Sequence, residues 1–285
     1  MRRSIDGMTN NNTLVLGATG KSGRRVAARL RMRGIPVRAA SRSSDTRFDW
    51  SDTGSWDAAL QRVSAVYVVA PATVGPVRQF VPRAEAAGVQ RLVLLSGRGA
   101  DTWGDSEFGL DMRDAEAAVR GSALEWTILR PNNFAQNFDE ELWHAPLLAG
   151  ELALPAGEVP EPLIDLEDVA DVAAAVLTEP GRHAGQIYEL TGPRAITFAE
   201  AVELIARASG QPITYKQITP AEYTAALVDD GLSEDDAHHL AEMFVTMQRG
   251  LLADPTDGVA TVLGREPRTF EDYVLRTAAS GTWQR

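Results

Sequence analysis

The sequence predicts an α/β fold, a doubly wound parallel sheet with a smaller, mainly helical C-terminal lobe. Short apolar segments alternate with segments of helical periodicity from Thr13 to Leu129. One of the short segments, residues 65–70, is apolar throughout, which is typical of a strand buried on both faces of a parallel sheet. A glycine-rich turn at residues 17–23 follows the first strand. Together these observations indicate repeated strand–helix–strand units.

The predicted elements of the sheet follow one another as far as Pro131. Strands are predicted at residues 13–16, 36–41, 65–70, 91–96 and 125–129. Helices are predicted from the glycine turn to Arg33 and then at residues 57–62, 77–87 and 112–120. Gly34 and Gly88 stand where two of these helices end, a position that glycine commonly takes.

Beyond Pro131 the alternation weakens. Residues 132–162 are rich in loops, whereas a helix at 166–177 and a strand at 186–190 return to the sheet. Thr197 with Glu200 predicts a capping box, and Ser233 and Thr269 predict two further helix starts. We therefore expect a disordered arm at residues 1–12, a sheet domain of residues 13–131 and 164–192, and a lobe of residues 132–163 and 193–285.

Composition excludes several classes of protein. The 285 residues are 44% hydrophobic and 24% charged, as in ordinary folded proteins. There is no cysteine, which excludes disulfides, iron–sulfur clusters and cysteine nucleophiles, and the four histidines lack the spacing of metal ligands. The apolar runs are far shorter than the ~20 residues of a bilayer span, and the N-terminal residues are polar, unlike a signal peptide. We expect a cytoplasmic protein with no metal site and no membrane contact.

Charge is unevenly distributed along the chain. The net charge of -11 at pH 7 argues against nucleic acid as a partner. As far as Arg47, however, eleven basic residues face only two acidic ones. Two explanations remain open for Arg25, Arg29 and Arg33: they decorate a solvated helix face, or a polyanionic ligand lies nearby.

The glycine-rich turn reads Gly-Ala-Thr-Gly-Lys-Ser-Gly over residues 17–23. Glycines at this place allow a tight turn, a close approach of the backbone to a pyrophosphate, and close packing of the helix on the sheet. Free N–H groups at the helix N-terminus bind the anion. The strand before and the helix after the turn therefore predict a dinucleotide site. An ATPase loop is excluded, because that motif requires a glycine where Val15 stands.

The residues after the second strand favour NADP over NAD. An NAD site has an Asp or Glu there for the ribose 2′-hydroxyl, whereas this chain has Ser41, Arg42 and further serines. Arg42 can clamp or stack on a 2′-phosphate, and the serines can donate to it. Lys21, from the glycine turn, is also expected to reach that phosphate. We therefore expect NADPH as the cofactor.

Several segments resemble those of a known family. Besides the glycine turn and Arg42, they are LLSG at residues 94–97, TILRPNNFAQNF at 127–138, IDLEDVADVAAAVL at 164–177, YELTGPRAITFAEAV at 188–202 and GREPRTFEDYV at 264–274. Together they resemble the NmrA-like branch of the atypical short-chain dehydrogenase/reductase family. The resemblance implies a Rossmann domain that binds NADP and a C-terminal substrate lobe. Members of this family include NADPH-dependent reductases of quinones and ketones, natural-product tailoring enzymes, and proteins that only sense the NADP redox state. The resemblance therefore implies one of these functions.

The resemblance also implies which residues hold the cofactor. Around the pyrophosphate it places Gly17, Thr19, Gly20, Lys21, Ser22 and Gly23, and at the 2′-phosphate it places Arg42. It places Asp49 and Trp50 beside the adenine. It places Ala70 and Pro71 at the nicotinamide ribose, and Ser96 beside the nicotinamide.

The chain departs from the family in its catalytic pair. Short-chain reductases commonly protonate the product with a tyrosine activated by a lysine four residues later. None of the five tyrosines has such a lysine, and the expected region carries Phe108 and Met112 instead. Any proton must come from another source.

The leading hypothesis is a reductase that delivers hydride from NADPH to a ketone or quinone carbonyl of an aromatic small molecule. Its narrower form is a tailoring ketoreductase of aromatic polyketide antibiotic biosynthesis. Ser96 is the expected catalytic residue, donating to the carbonyl oxygen, with a proton from water or a substrate phenol. The expected substrate residues are Trp103, Asn133, Phe134, Asn137, Phe138 and Trp143, with Asn132 as a further amide and His144 as an acid. The alternative is a non-catalytic NADP sensor that acts through a protein partner. The oligomeric state stays open.

Overall fold

A computed structural model describes residues 12–103 and 109–284 of the chain. The predicted arm at residues 1–12 lies outside the described residues except for Asn12, which begins the first strand instead of ending an arm. Phe108 also lies outside the described residues.

The described residues contain nine strands, of which seven form one parallel sheet. The strands are β1 (Asn12–Leu16), β2 (Val37–Ser41), β3 (Thr46–Arg47), β4 (Val63–Val69), β5 (Arg91–Leu95), β6 (Glu125–Pro131), β7 (Glu151–Leu154), β8 (Gln186–Leu190) and β9 (Thr214–Gln217). The large sheet has the order β3-β2-β1-β4-β5-β6-β8. The chain order reverses between β1 and β4, and ligands of doubly wound sheets bind in the crevice at such a point.

Helices cover both faces of this sheet, as a doubly wound fold requires. The helices are α1 (Lys21–Met32), α2 (Trp56–Leu60), α3 (Pro76–Ala86), α4 (Leu110–Arg120), α5 (His144–Ala149), α6 (Leu166–Thr178), α7 (Phe198–Ser209), α8 (Pro220–Asp229), α9 (Glu234–Met247), α10 (Gly258–Leu263) and α11 (Phe270–Ala279). One hydrophobic core packs α1, α6 and α10 on the sheet, and a second packs α2, α3 and α4 on the opposite face. The predicted fold class is thereby confirmed.

The lobe has a third hydrophobic core of its own. It is built from residues 135–163 and 196–283 and encloses the two-stranded parallel sheet of β7 and β9. One part of the predicted lobe lies elsewhere: Val259 and Val262 of α10 pack on the sheet with α6. A Cβ at Gly258 would lie 2.1 Å from the carbonyl oxygen of Glu189 in β8, so only glycine permits this approach.

The helix starts of the lobe follow the sequence closely. Ser233 and Thr269 cap α9 and α11 as predicted. Thr197 accepts from the backbone N–H of Glu200 at 3.1 Å, but the other half of the predicted capping box is replaced. The carboxylate of Glu200 accepts from Arg194 at 2.8 Å instead.

Ion pairs explain the basic first helix. Arg25 and Arg29 both pair with Glu167 of α6, and Arg29 also pairs with Asp171 at 2.6 Å. Arg25 further pairs with Glu140, which follows β6. The arginine side chains are only 16% and 23% exposed, so they do not decorate a solvated helix face, and carboxylates engage their charge. Their charge joins α1 to α6 and to the lobe.

No helix among the described residues is both long enough and apolar enough to span a bilayer.

Candidate cofactor and substrate site

The glycine turn after β1 leaves a helix N-terminus open to an anion. Gly17 has φ +63°, and a Cβ at Gly23 would lie 2.3 Å from the carbonyl oxygen of Gly17. The turn is therefore too tight for any other residue at position 23. No side chain caps α1 and no acidic residue lies in its first turn, so its first N–H groups remain available to a negatively charged ligand.

A cleft of about 900 Å³ opens above this turn, where the strand order of the sheet reverses between β1 and β4. Most of the residues predicted to hold the cofactor line it: Gly17, Thr19, Gly20, Lys21, Ser22, Ser41, Arg42, Asp49, Trp50, Ala70 and Pro71. Gly23 lies behind the turn, where its lack of a side chain permits the packing just described. Ser96 lines the neighbouring cavity instead.

The end of the cleft at β2 suits a phosphate. Arg42 is exposed and, within the part of the chain that the structure describes, makes no hydrogen bond or ion pair. The Oγ of buried Ser41 lies 2.7 Å from that of Ser44 and accepts from the N–H of Ser43 at 3.2 Å, which orders the loop beside the guanidinium. The donors present therefore fit the 2′-phosphate of NADP.

A rigid aromatic wall forms the adjoining part of the cleft. The indole of Trp50 donates to the carbonyl oxygen of Val69 at 3.0 Å and lies edge-on to Phe48, with ring centroids 4.9 Å apart. Asp49 accepts from the N–H and the hydroxyl of Ser51, and these hydrogen bonds lower the pKa of its carboxyl. A flat ring and an ionised carboxylate thus lie together where an adenine is predicted.

A second cavity of about 360 Å³ continues from the cleft. Six residues line both spaces: Lys21, Val69, Ala70, Leu95, Phe134 and Glu141. Of the predicted substrate residues, Trp103, Asn133, Phe134 and Asn137 line the cavity, together with Asn132. Met243 and Met247 of α9 and Leu252 complete its apolar wall; sequence reasoning missed them because α9 reaches the site only through the tertiary fold.

Phe138 and Trp143 are corrections to the sequence prediction. They are 0% and 1% exposed and pack edge to face on each other, with ring centroids 4.8 Å apart, inside the core of the lobe. The short helical turn at Ala135–Phe138 directs Phe138 away from the cavity that Phe134 lines. His144 is likewise outside the cavity, and its Nε2 lies 3.1 Å from the carbonyl oxygen of Thr282.

Lys21 points away from the predicted 2′-phosphate position. Its Nζ lies 2.5 Å from Oδ1 of Asn137, 2.8 Å from Oε2 of Glu141 and 5.5 Å from the ring centroid of Phe134. All three follow β6, which is four strands from β2 in the sheet, or roughly 19 Å at ~4.8 Å per step. The ammonium therefore belongs to the border between cleft and cavity, not to the phosphate of Arg42.

Ser96 differs from its predicted role as a donor to substrate. Its hydroxyl donates to Oε1 of Glu116 at 2.7 Å, and both residues are buried. Arg130 donates to both oxygens of that carboxylate, at 2.8 and 2.6 Å, so both oxygens act as acceptors. The proton of Ser96 is thus engaged, and its hydroxyl can offer a ligand in the cavity that the residue lines only an acceptor.

Glu161 is a buried acid close to the cavity that no sequence pattern indicated. Its side chain is 1% exposed, and its Oε2 accepts from Nδ2 of Asn132 at 2.6 Å. Oε1 has no hydrogen-bond partner among the described residues. Burial raises the pKa of Glu161 to about 7. It lies in the loop-rich segment after β7, where neither periodicity nor a motif marks it.

The chain is similar to NAD(P)H-binding proteins and to several reductases. Residues 17–180 match a family model described as NAD(P)H-binding. The chain is 31% identical to an NAD(P)H azoreductase from Xenophilus azovorans, over 94% of this chain and 98% of the relative. It is 32% identical to a (4-alkanoyl-5-oxo-2,5-dihydrofuran-3-yl)methyl phosphate reductase from Streptomyces griseus, over 91% and 95%. An NADPH-dependent quinone oxidoreductase from Escherichia coli, solved with NADPH, superposes with a TM-score of 0.79 at 26% identity, over 93% and 99%.

Proposed function

Because the chain belongs to the NAD(P)H-binding family, in its NmrA-like branch, and is an NADPH-dependent oxidoreductase, we propose that it reduces a ketone or quinone carbonyl of an aromatic small molecule. The observation that carries this proposal is the continuity of the two spaces. A cleft with the features of an NADP site opens into an apolar cavity, and Lys21 and Phe134 line both.

The cofactor would be held by the residues that line the cleft. The N–H groups at the start of α1 would bind the pyrophosphate, and Arg42 and the neighbouring serines would bind the 2′-phosphate. Trp50 would pack against the adenine. When bound, NADPH supplies the hydride. Ala70 and Leu95 give the border where the cleft meets the cavity an apolar surface.

Lys21 takes the place of the missing tyrosine as the donor to the substrate oxygen. An ammonium group has three protons, of which Asn137 and Glu141 accept two. The third remains for an oxygen in the cavity, where it stabilises the negative charge that develops on a reduced carbonyl. Asn137 and Glu141 hold the group in place before the substrate arrives, so little reorganisation is needed.

The cavity favours a flat apolar substrate. Trp103, Met112, Phe134 and Met247 are among its apolar lining residues, and Ser96, Asn132 and Asn133 add polar groups directly after β5 and β6. An aromatic polyketide is the narrower form of this proposal. The quinone and azo substrates named for the relatives support the wider class of conjugated aromatic acceptors.

Transfer of deuterium from NADPH labelled at C4 tests this function. A panel of quinones and aromatic ketones is incubated with the protein, and the product is analysed by mass spectrometry. Labelled product is expected, and Lys21→Met is expected to lower kcat/KM about 100-fold. Lys216→Met changes the other lysine of the chain, which is exposed on β9, and should have no effect. NADPH binding without labelled product would contradict the proposal and favour a sensor.

A further inference from the structure

Two carboxylates outside the cavity determine the hydrogen-bonding character of its polar wall. Glu116 accepts the proton of Ser96, and Glu161 accepts a proton of the Asn132 amide. Both carboxylates are buried, with 4% and 1% of their surface exposed. Neither lines the cavity, so each acts on it only through the residue it holds.

Ser96 is left with its oxygen as the group that a ligand can reach. Since Glu116 is held by Arg130 at both oxygens, it cannot donate, and the Ser96 hydroxyl must donate to it. The N–H of Ser96 is also engaged, with the carbonyl oxygen of Leu129 at 2.9 Å. The lone pairs of the Ser96 oxygen are what remains for the cavity.

Asn132 is arranged in the same way. Its Nδ2 donates to Glu161 and its backbone N–H donates to the carbonyl oxygen of Leu190 at 2.9 Å. Its Oδ1 has no partner among the described residues, and the side chain lines the cavity. Ser96 and Asn132 directly follow β5 and β6, which are neighbours in the sheet. Leu95 pairs with Leu129, so Asn132 lies two residues beyond the position opposite Ser96. Both acceptors therefore belong to the carboxyl edge of the sheet, on neighbouring strands.

The charges around Glu161 leave this arrangement undisturbed. Arg98 faces it and attracts its negative charge, but the Arg98 guanidinium is held by Glu189 at 3.1 Å and by the carbonyl oxygen of Leu252 at 2.8 Å. The Asn133 amide also lies near Glu161 and lowers the pKa of its carboxyl, but its Nδ2 donates to the sulfur of Met247 at 3.4 Å. The direct hydrogen bond of 2.6 Å from Asn132 is the stronger tie to Glu161.

We propose that Glu161 is a positioning residue for Asn132, and that Ser96 and Asn132 select an aromatic carbonyl substrate that also carries a hydroxyl group. The hydroxyl donates its single proton to Oδ1 of Asn132, the acceptor that Glu161 positions, while Lys21 donates to the carbonyl oxygen. A substrate without the hydroxyl leaves that acceptor unpaired in a largely apolar cavity, which costs affinity. The identification of the substrate class rests on the proposed function, whereas the acceptor pair does not.

A binding experiment with non-reacting probes tests the acceptor pair. The full chain is saturated with NADP⁺, and the affinities of 2-naphthol and of its methyl ether, 2-methoxynaphthalene, are measured by calorimetry at about pH 8. The wild type should bind the naphthol about tenfold more tightly, as one recovered hydrogen bond implies. Asn132→Leu and Glu161→Leu should bring the ratio to about one. Glu161→Gln retains an acceptor for Asn132 and should keep the ratio, as should Glu158→Leu at an exposed position nearby.

The outcomes distinguish the selection of hydroxylated ligands from the positioning role of Glu161. A wild type that binds both probes equally, or neither, overturns the selection of hydroxylated ligands. Should Asn132→Leu abolish the preference and a folded Glu161→Leu keep it, the positioning role is wrong. Retained NADP⁺ binding shows that a variant is folded. If Glu161→Leu no longer binds NADP⁺, Glu161→Gln decides the positioning role of Glu161. Loss of the preference for 2-naphthol in Glu161→Gln then overturns that role. No turnover occurs with these probes, so a failure of hydride transfer bears on the proposed function alone.

Discussion

Lys21 and Glu141 form an ion pair of 2.8 Å that bridges the sheet domain and the lobe. Lys21 is the first residue of α1, at the glycine turn, whereas Glu141 belongs to the segment between β6 and α5. Both residues line the cofactor cleft and the substrate cavity. One charged contact therefore holds together the two halves of the site, and it places a cation where the reduced oxygen is expected.

Gly23→Ala should prevent cofactor binding by displacing the turn. The added Cβ would lie 2.3 Å from the carbonyl oxygen of Gly17, so turn and helix must separate. We expect a loss of about 1–3 kcal/mol in the free energy of unfolding and no measurable heat on titration with NADPH. Gly121→Ala, where the nearest atom would be 3.3 Å away and φ is -80°, should bind NADPH normally. Normal binding by Gly23→Ala would contradict the assignment of the turn.

Glu161 should make the protein less stable as the pH rises. Its pKa is raised from 4.5 to about 7, so the native state holds the proton more tightly than the unfolded state between these values. Stability from this group is then greatest below pH 4.5 and falls as the pH rises through 7. Glu161→Gln should therefore be more stable than wild type at pH 8, by up to ~3 kcal/mol, with no such gain near pH 4.5. Urea unfolding at pH 8 and near pH 4.5 measures the free energy of unfolding, with Glu158→Gln as the control. An equal gain in stability at the two pH values would contradict the raised pKa of Glu161.

Glu116 should be essential for folding stability and not only for orienting Ser96. Glu116→Leu leaves the guanidinium of Arg130, 3% exposed, with only its contact to Asp101. An uncompensated buried charge of this kind typically costs about 3–5 kcal/mol. Chemical denaturation should reveal the loss. A change below about 1 kcal/mol would mean that Arg130 finds another partner or water.

Phe134 and Phe138 should respond differently to truncation. Phe138→Ala opens a cavity in the core of the lobe and should cost about 3–5 kcal/mol of stability. Phe134→Ala removes part of the cavity wall and a ring under Lys21, so it should change KM and kcat for aromatic substrates with a smaller loss of stability. Thermal melting and steady-state kinetics of both variants separate the two effects; a reversed pattern would place Phe138 in the site.

Local features of the sequence were sufficient to predict most of the residues that line the cleft. The glycine turn depends on steric requirements within seven residues, and Arg42 follows directly from the end of β2. The end of β6 likewise brings Asn133 and Phe134 to the carboxyl edge of the sheet. Each of these positions is set by the strand just before it.

The remaining features depend on contacts between distant segments. β7 and β9 pair across some sixty residues, as in Leu152 with Tyr215, and neither segment shows clear alternation. The direction of Phe138 is set by packing in the lobe, and that of Lys21 by acceptors that follow β6. The donor role expected of Ser96 failed because Glu116, on α4, takes its proton.

Every role proposed for the site depends on NADPH binding at the glycine turn and Arg42. Calorimetric titration of the purified chain with NADPH and with NADH, repeated on Arg42→Ala and on Arg47→Ala, tests it most directly. The wild type should bind NADPH about 10- to 100-fold more tightly than NADH, as a charge-assisted phosphate contact implies. Arg42→Ala should lose that preference, and Arg47→Ala, which removes an exposed arginine paired with Asp52, should keep it. No heat with either dinucleotide would contradict the account.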